Sequence, residues 1–242
     1  MAVSPPAVEE FAGQLAALGW ISDLLVAGSL ATGDYVPGVS DLDLVALVTG
    51  PVDKARLTTL TGLHRHLDQG AASGLNLGCA YANITKILDV HLRHPTWTHG
   101  SLVHRSLSAI PRAELVRHGY PVFGRSPRDV FPAMSDDDLR QAARAELVGY
   151  WAWAARRPWI WLDPTIADLG LTAMARARYT IATGKLLSKT RAVERADAPP
   201  WLINQLRARR TGQKITSPRV RTALIAWRDA RQTVARAHTS RN

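Results

Sequence analysis

The chain has 242 residues, 46% of them hydrophobic and 21% charged, which suits one large folded domain or two small ones and excludes a disordered or fibrous chain. One cysteine, Cys79, rules out an internal disulfide and fits a reducing, cytoplasmic setting. The net charge of +10 is uneven: residues 1–134 carry 10 Lys and Arg against 11 Asp and Glu, residues 135–242 carry 20 against 9. A basic half beside a neutral half points to a polyanionic partner, a nucleoside triphosphate or a nucleic acid, or to a solvated arginine-rich surface. The start, MAVSPPAVEE, lacks the basic and apolar regions of a signal peptide. No apolar run approaches the ~20 residues that span a membrane, so no membrane partner is expected.

In chain order, Val8, Phe11, Leu15 and Leu18 recur at helical spacing over residues 7–19, with Gly19 as a stop. Residues 23–27 (DLLVA) form a short apolar run that predicts a buried strand, followed by Gly28 and Ser29. A turn-rich loop leads to a second strand over residues 41–48. A helix is expected over residues 52–70 and a third strand over residues 75–81. Residues 84–134 hold short strand-like pieces at residues 101–107 and 121–124 and a helix at residues 112–118, and residues 130–132 read as a linker. Beyond Ser135, an N-cap followed by three aspartates starts a helix to about Arg156. Further helices follow over residues 164–184, 192–196, 200–210 and 217–237. The predicted class is α+β: an N-terminal α/β domain, residues 1–132, with a small mixed sheet and helices, and an all-helical C-terminal domain, residues 133–242.

The chemistry concentrates at GSLATGDYVPGVSDLDL. A strand, then Gly28-Ser29, then 11 residues, then Asp41-x-Asp43 on the next strand is the signature of the nucleotidyltransferase fold. Side chains alternate along a strand, so Asp41 and Asp43 share a face while Leu42 and Leu44 face a core. Adjacent carboxylates repel unless a cation lies between them; Mg²⁺, two ions here, suits that place and holds substrate phosphates too. Gly28 and Ser29 are candidate contacts to the β- and γ-phosphates. His91, His94, His99 and His104 do not have the spacing of a zinc site.

A second stretch, LTAMARARYTIATGKLLSK, contains Arg176, Tyr179, Thr183, Gly184, Lys185 and Lys189. With the Gly-Ser…Asp-x-Asp stretch, it resembles the aminoglycoside O-nucleotidyltransferases of the 3″/9 adenylyltransferase type, in a form close to an actinobacterial branch. The resemblance implies transfer of AMP from ATP to a hydroxyl of a small acceptor, an aminoglycoside or aminocyclitol, with the active site in a cleft between two domains of a monomer. By position, it implies that Arg176 and Lys189, with Lys185, contact the ATP phosphates. It also implies that Trp97, Asp163 and Asp168 meet the acceptor. The family has a glutamate base on the third strand, where this chain has Asn76, which cannot take a proton. Glu146 is the first candidate to replace it and Asp89 the second. Alternatives are a reaction without a strong base, a nucleotide-binding pseudoenzyme, and a nucleotidyltransferase acting on RNA or protein. The Trp151/Trp153 and Trp159/Trp161 pairs are expected to pack helices.

Overall fold

The computed structural model describes residues 5–239; residues 1–4 and 240–242, the two ends of the expected domains and part of the segment read for a signal peptide, lie outside them. The chain divides between Ala133 and Met134 into two compact units.

The first unit is built on a six-stranded mixed sheet. Its elements in chain order are α1 (Pro6–Ala16), β1 (Ile21–Val26), α2 (Gly28–Ala31), β2 (Leu42–Val48), α3 (Lys54–Gln69), β3 (Leu77–Asn83), β4 (Arg93–Thr98), β5 (Ser101–Ser106), α4 (Ala109–His118), β6 (Tyr120–Phe123) and α5 (Pro127–Val130). The spatial order is β5-β4-β3-β2-β1-β6; β2 and β3 run parallel, and the other neighbours are antiparallel. A parallel pair needs a crossover, and α3 supplies it.

Alternation along β2 divides the core in two. Leu42, Leu44, Ala46 and Val48 join Phe11 and Leu15 of α1 and Leu60 and Leu67 of α3. Val45 and Leu47 join Leu25, Leu115 of α4 and Phe131. Phe131, expected in a linker, is thus a buried anchor of this unit. β4 was not expected: Pro95 interrupts its pattern, yet residues 93–98 pair with residues 101–106 across His99-Gly100. His99 takes a φ of 47° in that turn.

The second unit is helical: α6 (Asp136–Glu146), α7 (Ala152–Ala155), α8 (Pro164–Thr183), α9 (Lys189–Glu194), α10 (Pro200–Arg210) and α11 (Arg219–Thr239). The helix expected to run unbroken to Arg156 is interrupted. A π-helical turn spans residues 147–151, and Gly149 has non-helical angles (φ −80°, ψ −115°). Ser135 caps α6 reciprocally with Asp138. Gly184 ends α8 in the left-handed region. A Cβ on Gly170 would stand 2.2 Å from the Trp161 ring, so this glycine lets α8 lie against that buried indole. Trp151 and Trp161 are core residues, but Trp153 and Trp159 are 44% and 63% exposed, contrary to the expectation that both pairs pack inside.

Candidate active site

Asp41 immediately precedes β2, and Asp43 is its second residue. The Ala27 amide donates to the Asp43 carbonyl at 2.8 Å, which ties the end of β1 to the start of β2. The chain then turns at Gly28 with a φ of 58° and forms one helical turn, α2, in which Ser29 is buried. A Cβ on Gly28 would stand 2.2 Å from Asp43 Oδ2 and 2.9 Å from its Cβ and Cγ. Glycine is therefore required twice here, by the backbone angle and by the carboxylate against it. Gly28, Ser29 and Asp43 form one local structure, and the first amides of α2 have no partners in a helical ladder.

Asp43 faces a cavity of about 260 Å³ within the first unit. Gly28, Gly78, Thr96, Thr98 and Arg105 line it from the sheet side, and Pro111, Glu114 and Leu115 line it from α4. The register explains the strand members: Asp43 lies opposite Gly78 on β3, and Ala80 opposite Thr96 on β4. Gly78 keeps this face open; a Cβ there would stand 3.3 Å from the Trp97 carbonyl. The cavity thus holds two carboxylates, Asp43 and Glu114, and one guanidinium. Sequence reasoning passed over Glu114. It sits in a short helix, α4, with nothing local to mark it, and only the packing of α4 over the sheet brings it to the cavity that Asp43 lines.

Four residues named from the sequence take the following places in the structure. Trp97 does not offer its ring to an acceptor. Trp97 borders the cavity with Thr96 and Thr98, but its ring lies against α3 on the other face of the sheet. There it is 1% exposed, stacked on His64 at 4.9 Å between ring centres, with its indole N–H donating to Asp68. Asn76 is not on the third strand but just before it, with a φ of 48°. Asparagine adopts that left-handed backbone at lower cost than glutamate, so the residue has a conformational reason to differ. Asp89 holds a turn, accepting from the amides of His91 and Leu92, and does not line the cavity. Glu146, the first candidate base, is the exposed last residue of α6 in the second unit.

In the second unit, Arg176, Lys185 and Lys189 cluster about the turn after α8. The Arg176 Nε donates to the Leu187 carbonyl at 2.8 Å, and Thr180 Oγ1 donates to the Lys185 carbonyl at 2.9 Å. Lys185 and Lys189 are exposed, and Lys189 opens α9. Thr183 also receives the Lys185 amide at 3.1 Å, so the Thr-Gly-Lys run is a built turn that presents these cations. The two aspartates assigned to the acceptor have other partners. Asp163 caps α8, accepting from the amides of Thr165 and Ile166. Asp168 grips Arg209 through both oxygens, at 2.6 and 2.9 Å. Burial raises the Asp168 pKa, while its pairing with the Arg209 guanidinium pulls it back down.

Among the described residues, no group of three or more His, Cys, Asp and Glu side chains is placed to hold a metal ion. Mg²⁺ asks for less. It keeps several waters and takes one or two carboxylates with substrate phosphates; Asp43 lines the cavity, and Asp41, just before β2, is not among the lining residues.

No family model and no curated protein matches the sequence. Among solved structures, the chain is similar to the spectinomycin adenyltransferase AAD(9) from Enterococcus faecialis, determined with ATP and spectinomycin. The TM-score is 0.69 at 16% identity, over 94% of this chain and 99% of that one. The chain shares the fold of that structure. The α+β class with a helical C-terminal part stands on this likeness. Among the described residues, no helix is long and apolar enough to cross a membrane.

Proposed function

We propose that this protein is a nucleotidyltransferase that moves AMP from ATP to a hydroxyl of a small molecule, as a 3″/9-type adenylyltransferase does. The observation that carries this is the fit of Gly28 around Asp43: the missing Cβ leaves room for a carboxylate at the mouth of β2, beside the helical turn that starts at Gly28. Asp41 and Asp43 would hold Mg²⁺, which when bound neutralises the triphosphate and polarises its α-phosphorus. Gly28 and Ser29 would bind the β- and γ-phosphates through the backbone and the hydroxyl. Arg176, Lys185 and Lys189 are the proposed phosphate contacts of the second unit. Glu114 replaces Glu146 as the proposed acceptor of the hydroxyl proton, because it lines the same cavity as Asp43.

The solved neighbour holds spectinomycin, which supports a small hydroxylated acceptor such as an aminocyclitol or aminoglycoside antibiotic. Trp97, Asp163 and Asp168 leave the acceptor site in this reading; the Asp43–Glu114 cavity takes their place. Titration calorimetry with Mg²⁺ and ATP on wild type and on protein carrying both Asp41→Asn and Asp43→Asn tests the nucleotide half. Heat of binding from wild type and none from the variant is expected; equal binding by both sinks the proposal. A second reading, a nucleotide-binding protein without transfer, draws on Asn76, which leaves β3 without the family's glutamate. Nucleotide binding without pyrophosphate release across aminocyclitols and aminoglycosides would favour it.

A further inference from the structure

The second unit keeps large aromatic rings in water that its core does not use. Tyr150 is 50% exposed, Trp153 44% and Trp159 63%, while Trp151 and Trp161 beside them are buried. Single exposed apolar residues are ordinary, but three flat rings within ten positions are not. Two of them are organised. The Tyr150 ring stacks on Trp153 with 5.7 Å between centres and 29° between planes. The Arg157 guanidinium lies 4.4 Å over the Trp153 ring, and its Nη1 donates to the Trp153 carbonyl at 3.0 Å. Tyr150, Trp153 and Arg157 thus form a stack of three flat groups where the π-turn, α7 and the residues after it meet.

A basic helix is fastened to the same region. Arg219 of α11 donates to the Leu162 carbonyl at 2.6 Å, and the Trp227 indole donates to the Ala155 carbonyl at 2.9 Å. The Arg231 guanidinium covers Trp227 at 4.9 Å. Arg219, Arg221, Arg228 and Arg231 are all exposed on α11. The sole acid on this helix, Asp229, is buried and paired with Arg178, so nothing acidic on α11 offsets the exposed arginines. Rings for base faces and guanidinium groups for phosphates are the two parts of a single-strand binding surface.

We propose that this aromatic and arginine face of the second unit binds single-stranded nucleic acid. It does so by stacking bases on Tyr150 and Trp159 and holding the backbone with Arg219 and Arg231 of α11, the two arginines whose contacts adjoin this segment. The test is fluorescence anisotropy of the full chain with a labelled oligouridylate of roughly 12 nucleotides. A duplex of equal length, heparin, polyglutamate and anionic vesicles serve as competitors. Binding is expected to weaken with salt, with a log–log slope of about −2 to −3 for three or four phosphates. Tyr150→Ala and Trp159→Ala should each weaken binding about tenfold. Arg219→Ala combined with Arg231→Ala should flatten the slope by about one or more. Circular dichroism checks that the variants fold; Trp159 is exposed enough that its replacement leaves the core untouched. No binding at about 50 mM salt overturns the proposal. So does binding that the aromatic variants leave unchanged and that duplex or heparin matches, which would mean a surface for any polyanion. Preferential capture of polyglutamate or vesicles overturns it in favour of a protein or membrane partner.

Discussion

Replacing Gly28 with alanine separates two demands that the site places on one residue. The backbone holds a φ of 58°, where an L-residue costs about 1–2 kcal/mol. The new Cβ would also stand 2.2 Å from Asp43 Oδ2, and Cβ atoms do not approach heavy atoms closer than 3.0 Å. Asp43 would have to move by about 0.8 Å or more, since the backbone at Gly28 is tied through Ala27 to β2 itself. Mg²⁺ accepts oxygen only near 2.0–2.1 Å, and misplacement by about 1 Å can cost on the order of a hundredfold in rate. Gly33→Ala is the control. It carries a φ of 71° with nothing within 4 Å of its would-be Cβ, so it bears the backbone cost without the collision. Denaturant melts should show both variants destabilised by about 1–2 kcal/mol. Calorimetry with Mg²⁺ and ATP should show binding weakened about tenfold or more in Gly28→Ala alone. Equal nucleotide binding by Gly28→Ala and wild type, or equal loss in both variants, would refute the reasoning.

His64 is enclosed by Phe11, Tyr81 and Trp97, and burial lowers its pKa to about 3 from 6.5. Between those values the unfolded chain holds a proton that the folded chain refuses. Stability should therefore be full above pH 6.5 and fall as pH drops toward 3, by about 1.4 kcal/mol per pH unit and roughly 4–5 kcal/mol in all. Urea melts across this range should show a flatter profile for His64→Gln, and an unchanged profile would count against the mechanism. Glu114→Gln should keep Mg²⁺ and ATP binding and lower turnover with a responsive acceptor by about a hundredfold or more, whereas Glu146→Gln should leave both near wild type. The reverse outcome in a pyrophosphate-release assay would return the proton to Glu146. Asn76→Gly should leave stability within about 0.5 kcal/mol or raise it, while Asn76→Glu should cost about 1 kcal/mol and add no turnover. A gain of turnover from Asn76→Glu would show that the glutamate's absence, not the backbone, is the difference that matters.

Much of the helical unit was legible because its signals are local. Pro200–Arg210 begins at a proline and ends in arginines, and Pro164–Thr183 lies between an aspartate cap and a left-handed glycine. Both obey rules that operate within one turn of helix. The interruption at residues 147–151 was not legible, because good helix formers surround it and Gly149 alone does not announce a π turn. In the sheet, β2 was readable from its alternation, but β4 was not. Pro95 argues against a strand, and only the long pairing with β5 outweighs it.

The candidate site divides along the same line. From the sequence by itself came the carboxylate pair Asp41 and Asp43, the glycine and serine before them, and the cations about Thr183-Gly184-Lys185, because each is a short motif whose geometry follows from neighbours along the chain. Tertiary structure alone decided which face each strand residue takes. Thr96 and Thr98 line the cavity while Trp97 sinks into the opposite core, a difference of one residue in register that flips the side chain. It also brought Glu114 to Asp43 from a helix more than sixty residues later, turned Asp168 inward to Arg209, and left Trp153 and Trp159 in water beside their buried neighbours. The physical reason is the same in each case: spacing along a chain determines local dihedrals and alternation, but which surfaces face each other depends on how sheet and helices bury their apolar faces together.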